Sequence, residues 1–125
     1  MINRISVVNN LDVDVVKELP ISYGTVVLTD FAQILQWVNG GFQAMTGYAP
    51  EYAIGKKPAF LQGPNTSEIV KGRIRETLST GGRISETITN YKKNGTEYEC
   101  LITIIPLLDS KQNITHYLAL EREAA

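Results

Sequence analysis

The sequence feature that most constrains the fold is a pair of β-rich runs joined by an Asn-Gly dipeptide. Residues 83–92 and 96–105 alternate polar and apolar side chains, and Asn94-Gly95 lies between them. This arrangement is a strong signal for a β-hairpin, and the dipeptide favours a type I′ turn. A third β-rich run, residues 114–121, follows the turn-like residues 109–113. The C-terminal half is therefore predicted to form three sequential antiparallel strands.

The N-terminal half carries shorter elements. Residues 25–30 and 33–39 are two short β-rich runs separated by Asp30-Phe31-Ala32, which predicts a second hairpin. The next residues, 40–55, are interrupted by glycines and a proline, and this composition favours short helical turns over one long element.

The longest helix is predicted between residues 66 and 80. Asn65 or Thr66 is the expected N-cap, and Gly81-Gly82 is the expected stop. One face of this helix carries a mostly apolar stripe, formed by Val70, Ile74, Thr77 and Leu78.

A further helix is predicted near the N-terminus, over residues 11–19, with Asn10 as cap and Pro20 as stop. The same residues also alternate, so a strand is the alternative. We treat residues 1–22 as a flanking segment that forms a helix, and residues 23–123 as the domain. The fold class is α+β, with helices on one face of an antiparallel sheet.

Strand alternation predicts which side chains share a face of the sheet. Asn90 is predicted to lie on the apolar side of its strand, and Cys100 to face the same way from the next strand. In the last strand the pattern does not decide between two sets, which are Tyr117, Ala119 and Glu121 or His116, Leu118 and Leu120. Either choice leaves apolar side chains on the second face, where we expect a covering helix or a partner.

Composition excludes several classes of function. The chain has 12 basic and 13 acidic residues, so its charge predicts no binding to nucleic acid or to an anionic membrane. No apolar run approaches the length of about 20 residues that a membrane helix needs, and we expect a cytoplasmic protein. Its single cysteine and single histidine, Cys100 and His116, predict no disulfide and no metal site. No nucleophile and base at a useful spacing are present, so we expect no catalytic residues and no enzyme activity in this domain.

Residues 34–56, "ILQWVNGGFQAMTGYAPEYAIGK", resemble a characteristic segment of the PAS domain family. The motifs "FLQGPNT", "IRETL", "NYKKNGTEYE" and "YLALE" are most similar to its light-sensing LOV branch. That resemblance implies a PAS-like fold with a five-stranded antiparallel sheet, several short helices and one longer helix. Members of the LOV branch bind flavin mononucleotide (FMN) and form a photochemical bond from a cysteine to the flavin.

The resemblance also assigns a candidate pocket. The LOV motif Gly-x-Asn-Cys-Arg-Phe-Leu-Gln aligns without gaps on residues 55–62, which places its reactive cysteine at Pro58 and a phosphate-binding arginine at Ala59. Three positions keep the family residue and three others differ from it. The kept residues are Gln62, Arg75 and Asn90, and the substituted ones are Lys57, Cys100 and Glu121.

These substitutions predict a loss of cofactor chemistry. Proline at position 58 offers no thiol, which excludes the covalent photoreaction. Cys100 and Glu121 replace amides of the flavin site, and each buried polar group left unpaired costs about 1–3 kcal/mol. We therefore expect no cofactor, with FMN or FAD as the alternative. Haem is not expected, because residues 66–80 contain no histidine.

The sequence predicts a non-catalytic PAS sensory or interaction domain of a bacterial signal transduction protein, such as a sensor kinase or a transcription regulator. We expect a homodimer through the sheet face and the N-terminal helix, followed by an effector domain of unidentified type. Two alternatives remain open. One is a non-covalent flavin-binding redox or light sensor, and the other is a dimerisation scaffold with a pocket filled by side chains.

Overall fold

A computed structural model describes residues 24–125. It contains five strands, three α-helices and one 3₁₀ helix. In chain order they are β1 (Thr25–Asp30), β2 (Leu35–Val38), α1 (Gly40–Thr46), α2 (Pro50–Ala53), the 3₁₀ helix (Pro58–Leu61), α3 (Glu68–Ser79), β3 (Ile84–Tyr91), β4 (Glu97–Leu108) and β5 (Ile114–Glu123). The helix predicted over residues 11–19 lies outside the described residues.

The five strands form one antiparallel sheet in the order β2-β1-β5-β4-β3. The last strand lies in the centre, where Leu118 of β5 pairs with Leu28 on one side and with Ile105 on the other. The predicted α+β class, the five-stranded sheet and the helices on one face are confirmed.

All three hairpins close with the same turn geometry, which corrects the predicted type I′ turn at Asn94-Gly95. A type I′ turn needs positive φ at both central residues, but here Gly95 has φ 89° and Asn94 is not among the residues with positive φ. Gly95 N–H donates to the Lys92 carbonyl over 2.8 Å, and Lys92 N–H donates to the Thr96 carbonyl over 2.8 Å. This pattern is a three-residue loop with a glycine in the left-handed region at its end.

The other two hairpins use glutamine at the position of Gly95. Gln33 and Gln112 have φ values of 67° and 68°, and they are the only non-glycine residues with positive φ between residues 24 and 125. An aspartate stabilises each loop from its first position. Asp30 Oδ1 accepts from Ile34 N–H over 2.9 Å, and Asp109 Oδ1 accepts from Asn113 N–H over 2.9 Å.

The long helix α3 begins two residues later than the predicted start at residue 66. Its N-cap is Ser67, whose hydroxyl accepts a hydrogen bond from Val70 N–H over 3.2 Å. Thr66, one of the two predicted caps, instead links the preceding loop to β3, because its hydroxyl donates to the Thr89 carbonyl and accepts from Gly63 N–H. Gly63 lies so close to β3 that an added Cβ would be 2.3 Å from the Tyr91 ring.

The sheet buries apolar side chains on both faces. On the helix-covered face, α1, α2 and α3 pack over residues such as Ile88, Ile102 and Ala119. A second buried cluster lies on the opposite face and consists of Val26, Leu28, Ile105, Leu107, Leu118 and Leu120, with Trp37 beside it. The choice that the sequence left open in β5 is thereby settled, because Tyr117, Ala119 and Glu121 face the helices. Within residues 24–125, no helix has the length and apolar character required to cross a membrane.

A cavity between the sheet and the helices

A cavity lies between the helix-covered face of the sheet and the elements packed on it. The centre of a water molecule can occupy about 110 Å³ of it, and the whole unfilled space, open mouth included, is about 790 Å³. Apolar side chains make most of its surface, among them Leu35, Phe42, Ile74, Leu78, Ile88 and Ile102. Pockets for small organic molecules typically have this composition, with a few polar groups that fix orientation.

The polar groups of the cavity come from two walls. The sheet wall is formed by β1, β3, β4 and β5 and carries Asn90 and Glu121. The loop wall is formed by the 3₁₀ helix, the residue after it and α3, and its polar group is Gln62.

Glu121 is the most unusual of these groups. It lies on the central strand β5 opposite Ile102, and only 6% of its surface is exposed. Within residues 24–125 it has no ion pair, and its hydrogen-bond partner is the Cys100 thiol, with Sγ 3.4 Å from Oε1. Burial raises the pKa of Glu121 to about 7, while the thiol hydrogen bond opposes the shift. Near neutral pH the carboxyl is therefore poised between its neutral and ionised forms.

Cys100 contacts Glu121 through its thiol but does not itself line the cavity. Its side chain is fully buried in a cluster with Met45, Ile88 and Tyr98. Burial, with a smaller contribution from the neighbouring Glu121 carboxyl, raises the pKa of the thiol. The protonated thiol can donate a hydrogen bond to Glu121 and is a poor nucleophile.

Tyr98 contributes a buried hydroxyl without a hydrogen-bond partner. Tyr98 of β4 pairs with Asn90 of β3, and only 5% of the Tyr98 surface is exposed. Burial is the main cause of a raised Tyr98 pKa, so the phenol is neutral. Tyr98 does not line the cavity, so its hydroxyl lies within the buried cluster beside the sheet wall.

The structure divides the six predicted pocket residues. Gln62, Asn90 and Glu121 line the cavity. Cys100 does not line it, but its thiol is hydrogen-bonded to Glu121. Lys57 and Arg75 do not line it, and both are exposed. Lys57 directly precedes the lining residue Pro58, and Arg75 directly follows the lining residue Ile74.

The ion pair that joins α3 to the sheet is formed by Arg73. Arg73 donates to Glu86 with Nε 2.8 Å from Oε2 and Nη2 2.9 Å from Oε1. This hydrogen bonding raises the pKa of Arg73 and lowers that of Glu86. No ion pair is present for Arg75 among the described residues.

Sequence reasoning missed two lining residues on the sheet side, Thr29 and Gln33. Thr29 could have been found by alternation, because it shares a face with Val27 in β1. Gln33 gave no such signal, because its position depends on a left-handed turn that glutamine rarely adopts.

His116 lies away from the cavity lining. Its Nδ1 is 2.9 Å from the Thr115 hydroxyl, and burial lowers its pKa. Between residues 24 and 125, no three His, Cys, Asp or Glu side chains come together in a way that could hold a metal ion.

The chain belongs to the PAS domain family, whose model matches residues 22–123. It is a PAS sensory domain with relatives among blue-light photoreceptors. A protein of Listeria innocua named "Blue-light photoreceptor" is 31% identical over 112 residues, which are 87% of this chain and 44% of that protein. Phototropin-1A of Oryza sativa is 32% identical over 91 residues, which are 73% of this chain and 10% of that protein. The chain thus spans less than half the length of these relatives.

Solved structures show the same likeness. The dark structure of the blue-light photoreceptor Aureochrome1 LOV has a TM-score of 0.85 and 30% identity, covering 92% of this chain and 86% of that one. A light-oxygen-voltage domain structure whose subject is a flavin analogue has a TM-score of 0.82 and 27% identity, covering 93% of this chain and 88% of that one.

These relatives contradict the expectation that the domain has no cofactor. Similar proteins are blue-light photoreceptors, and the structure just described concerns a flavin analogue. The expectation gave too much weight to the substituted amides at Cys100 and Glu121. It did not anticipate that Glu121 would be buried with a pKa near neutrality, where a protonated carboxyl can donate and accept hydrogen bonds as an amide does.

Proposed function

We propose that this chain is a flavin-binding sensory domain that holds its cofactor without a covalent bond and responds to light or to redox state. The observation that carries the proposal is the cavity on the helix-covered face of the sheet, whose mostly apolar lining includes the polar residues Gln62, Asn90 and Glu121. The likeness to blue-light photoreceptors supports flavin as the ligand class.

The residues present fit a flavin ring in chemistry. The ring of oxidised flavin has apolar faces and an edge with both hydrogen-bond donors and acceptors. Asn90 and a protonated Glu121 each offer one donor and one acceptor function. The part of the cavity open to a water centre is smaller than the cavity of about 150 Å³ that holds one benzene. A three-ring ligand would therefore also occupy the open part or displace lining side chains.

Specific residues would hold each part of the cofactor. Asn90 and Glu121 on the sheet wall would bind the polar ring edge, and Gln62 on the loop wall would bind the ribityl chain. Lys57 and Arg75 are exposed cations next to the lining residues Pro58 and Ile74, and they would neutralise a phosphate. The bound flavin would supply blue-light absorption and electron acceptance.

The proposed binding is non-covalent because no thiol of the described residues lines the cavity. Pro58 occupies the position that the LOV motif gives to cysteine, and it belongs to the cavity wall. Cys100 is fully buried outside the wall, with a raised thiol pKa.

We extend the proposal to the protein as a whole. The domain would pass its state to an effector such as a kinase or a transcription regulator, and it would do so as a homodimer. Relatives that are longer than this chain support the presence of further domains.

Titration with FMN, FAD and riboflavin tests the proposed function. We expect quenching of flavin fluorescence with a stoichiometry of one per chain, and a rise in melting temperature with flavin concentration. Ala119→Trp would fill the cavity from the sheet wall and abolish binding, whereas Thr87→Trp on the exposed part of β3 is the control and would retain it. Absence of binding to all three flavins would refute the proposal and favour the scaffold alternative.

A further inference from the structure

Glu121 is the one carboxyl group of the cavity surface in the described residues, and nothing in the general flavin-binding role explains why a titratable group stands there. Its surroundings decide which protonation state a bound ligand would meet. The apolar neighbours and the absence of a cationic partner favour the neutral acid, because a buried carboxylate without a counter-charge is strongly disfavoured.

The hydrogen bond from Cys100 assigns a role to each carboxyl oxygen. The thiol lies 3.4 Å from Oε1, and a protonated thiol is a donor in this contact. Oε1 is therefore occupied as an acceptor, which leaves Oε2 to carry the proton. A proton on Oε2 gives the sheet wall an O–H donor, while an ionised Glu121 offers only acceptors.

The groups packed around Glu121 supply no competing charge. Across the sheet it faces Thr25 of β1 and Ile102 of β4, and the cavity beside it is bounded by Asn90 of β3 and Ile74 of α3, all uncharged. The titratable neighbours on β4 are Cys100 and Tyr98, both held neutral by burial. Further along β5, Glu123 is paired with Lys92 of the β3–β4 turn, with Nζ 2.7 Å from Oε1.

We propose that Glu121 is a specificity-determining residue of the cavity, which in its protonated form donates a hydrogen bond to an acceptor atom of the flavin ring. This inference rests on the proposed function. A ring that covers Glu121 removes the remaining water, which makes ionisation still less favourable in the complex. Flavin binding above neutral pH then takes up one proton from solution. The raised Glu121 pKa, about 7, sets the pH above which this uptake begins.

Riboflavin is the probe for the test, because it lacks a phosphate that would titrate in the same range. Above the Glu121 pKa we expect its dissociation constant to rise about tenfold per pH unit, and below it to be constant. Glu121→Gln keeps a neutral donor and acceptor at this place, so its affinity should match the low-pH wild-type value and stay flat with pH. Glu123→Gln is the matched control, because it changes a carboxylate on the same face of the same strand and should keep the wild-type pH dependence.

Calorimetry on the wild-type chain gives a second readout that does not depend on any variant folding. Titrations near pH 8 in buffers of different ionisation enthalpy should report uptake of about one proton per riboflavin bound. Binding that is independent of pH, or a pH dependence that persists in Glu121→Gln, would overturn the role of Glu121 and leave the flavin function standing. Failure of wild type to bind riboflavin or FMN at any pH would refute both.

Discussion

The two walls of the cavity differ in how they hold their polar residues. On the sheet wall, Asn90 and Glu121 are buried and face the cavity from two strands, and the Cys100 thiol donates a hydrogen bond to Glu121. Beside the loop wall, Lys57 and Arg75 are exposed and lie outside the lining. A strand fixes the direction of each side chain by alternation, whereas Lys57 precedes the 3₁₀ helix and Arg75 lies on the solvent-exposed side of α3. Under the proposed function, recognition of the ring would depend on the sheet wall, and neutralisation of a phosphate would depend on Lys57 and Arg75.

The largest loss of stability is expected from a substitution in the helices that pack over the cavity. Phe42 of α1 is fully buried and lines the cavity, so Phe42→Ala should lower the free energy of unfolding by about 3–5 kcal/mol. Phe31→Ala removes the same side chain where 68% of its surface is exposed, and should change stability by less than about 0.5 kcal/mol. Urea denaturation measures both. Equal losses for the two variants would show that the helices do not pack on the sheet as described.

The next largest effect is the dependence of folding stability on pH, which tests the burial of Glu121 in the sheet wall. The pKa of Glu121 rises on folding from its ordinary 4.5 to about 7, so the folded state binds more protons than the unfolded state between these values. Stability should therefore fall as pH rises through this window, by roughly 3 kcal/mol in total, and change little above it. Glu121→Gln should remove this contribution and be more stable than wild type at pH above neutrality. Denaturation at several pH values measures the difference, and Glu51→Gln on the exposed side of α2 is the control. A constant difference between wild type and Glu121→Gln would contradict the burial of a titrating carboxyl.

A smaller effect is expected on the loop side. Arg75→Ala should weaken FMN binding by up to about fivefold and leave riboflavin binding unchanged, since an exposed charge pair contributes about 0.2–1 kcal/mol. Arg73→Ala changes an arginine of the same helix that is paired with Glu86, and it should not separate the two ligands. Fluorescence titrations with both flavins measure this ratio. An Arg75→Ala chain that still prefers FMN by the wild-type ratio would remove Arg75 from the proposed phosphate site.

The smallest effect compares two turns of equal geometry. Gln33 and Gln112 both occupy the left-handed region, but only Gln33 lines the cavity. Replacement of either by glycine relieves backbone strain and should raise the free energy of unfolding by up to about 1 kcal/mol. Thermal denaturation should show a similar gain for both variants, while flavin affinity should change only in Gln33→Gly. A change of affinity in Gln112→Gly would mean that the turn acts through the sheet and not through the cavity.

Much of the fold followed from local patterns in the sequence. Alternation placed Asn90 and Cys100 on the same face, and the apolar stripe of α3 with its glycine stop located the long helix. Local rules failed where two conformations compete for the same residues. The Asn94-Gly95 loop took a geometry with one left-handed residue, and Ser67 capped α3 because the neighbouring Thr66 was used to join the loop to β3.

The candidate site was predictable in part. A pairing of Glu121 with Cys100 depends on the register between β4 and β5, which no local pattern of either strand specifies. The raised pKa of Glu121 depends in turn on burial by three other strands and α3. The residue type alone therefore predicted that Glu121 weakens cofactor binding. Its buried surroundings instead favour a neutral carboxyl, which can both donate and accept hydrogen bonds.

The central position of β5 has a mechanical consequence. Adjacent residues of this strand belong to different compartments, because Glu121 borders the cavity while Leu120 lies fully buried in the cluster on the far side of the sheet. One peptide unit separates them, so a shift of the backbone at Glu121 displaces the far-side packing by a comparable distance. A stimulus received on one surface can thus reach the other across the thickness of a single strand, without travelling around an edge.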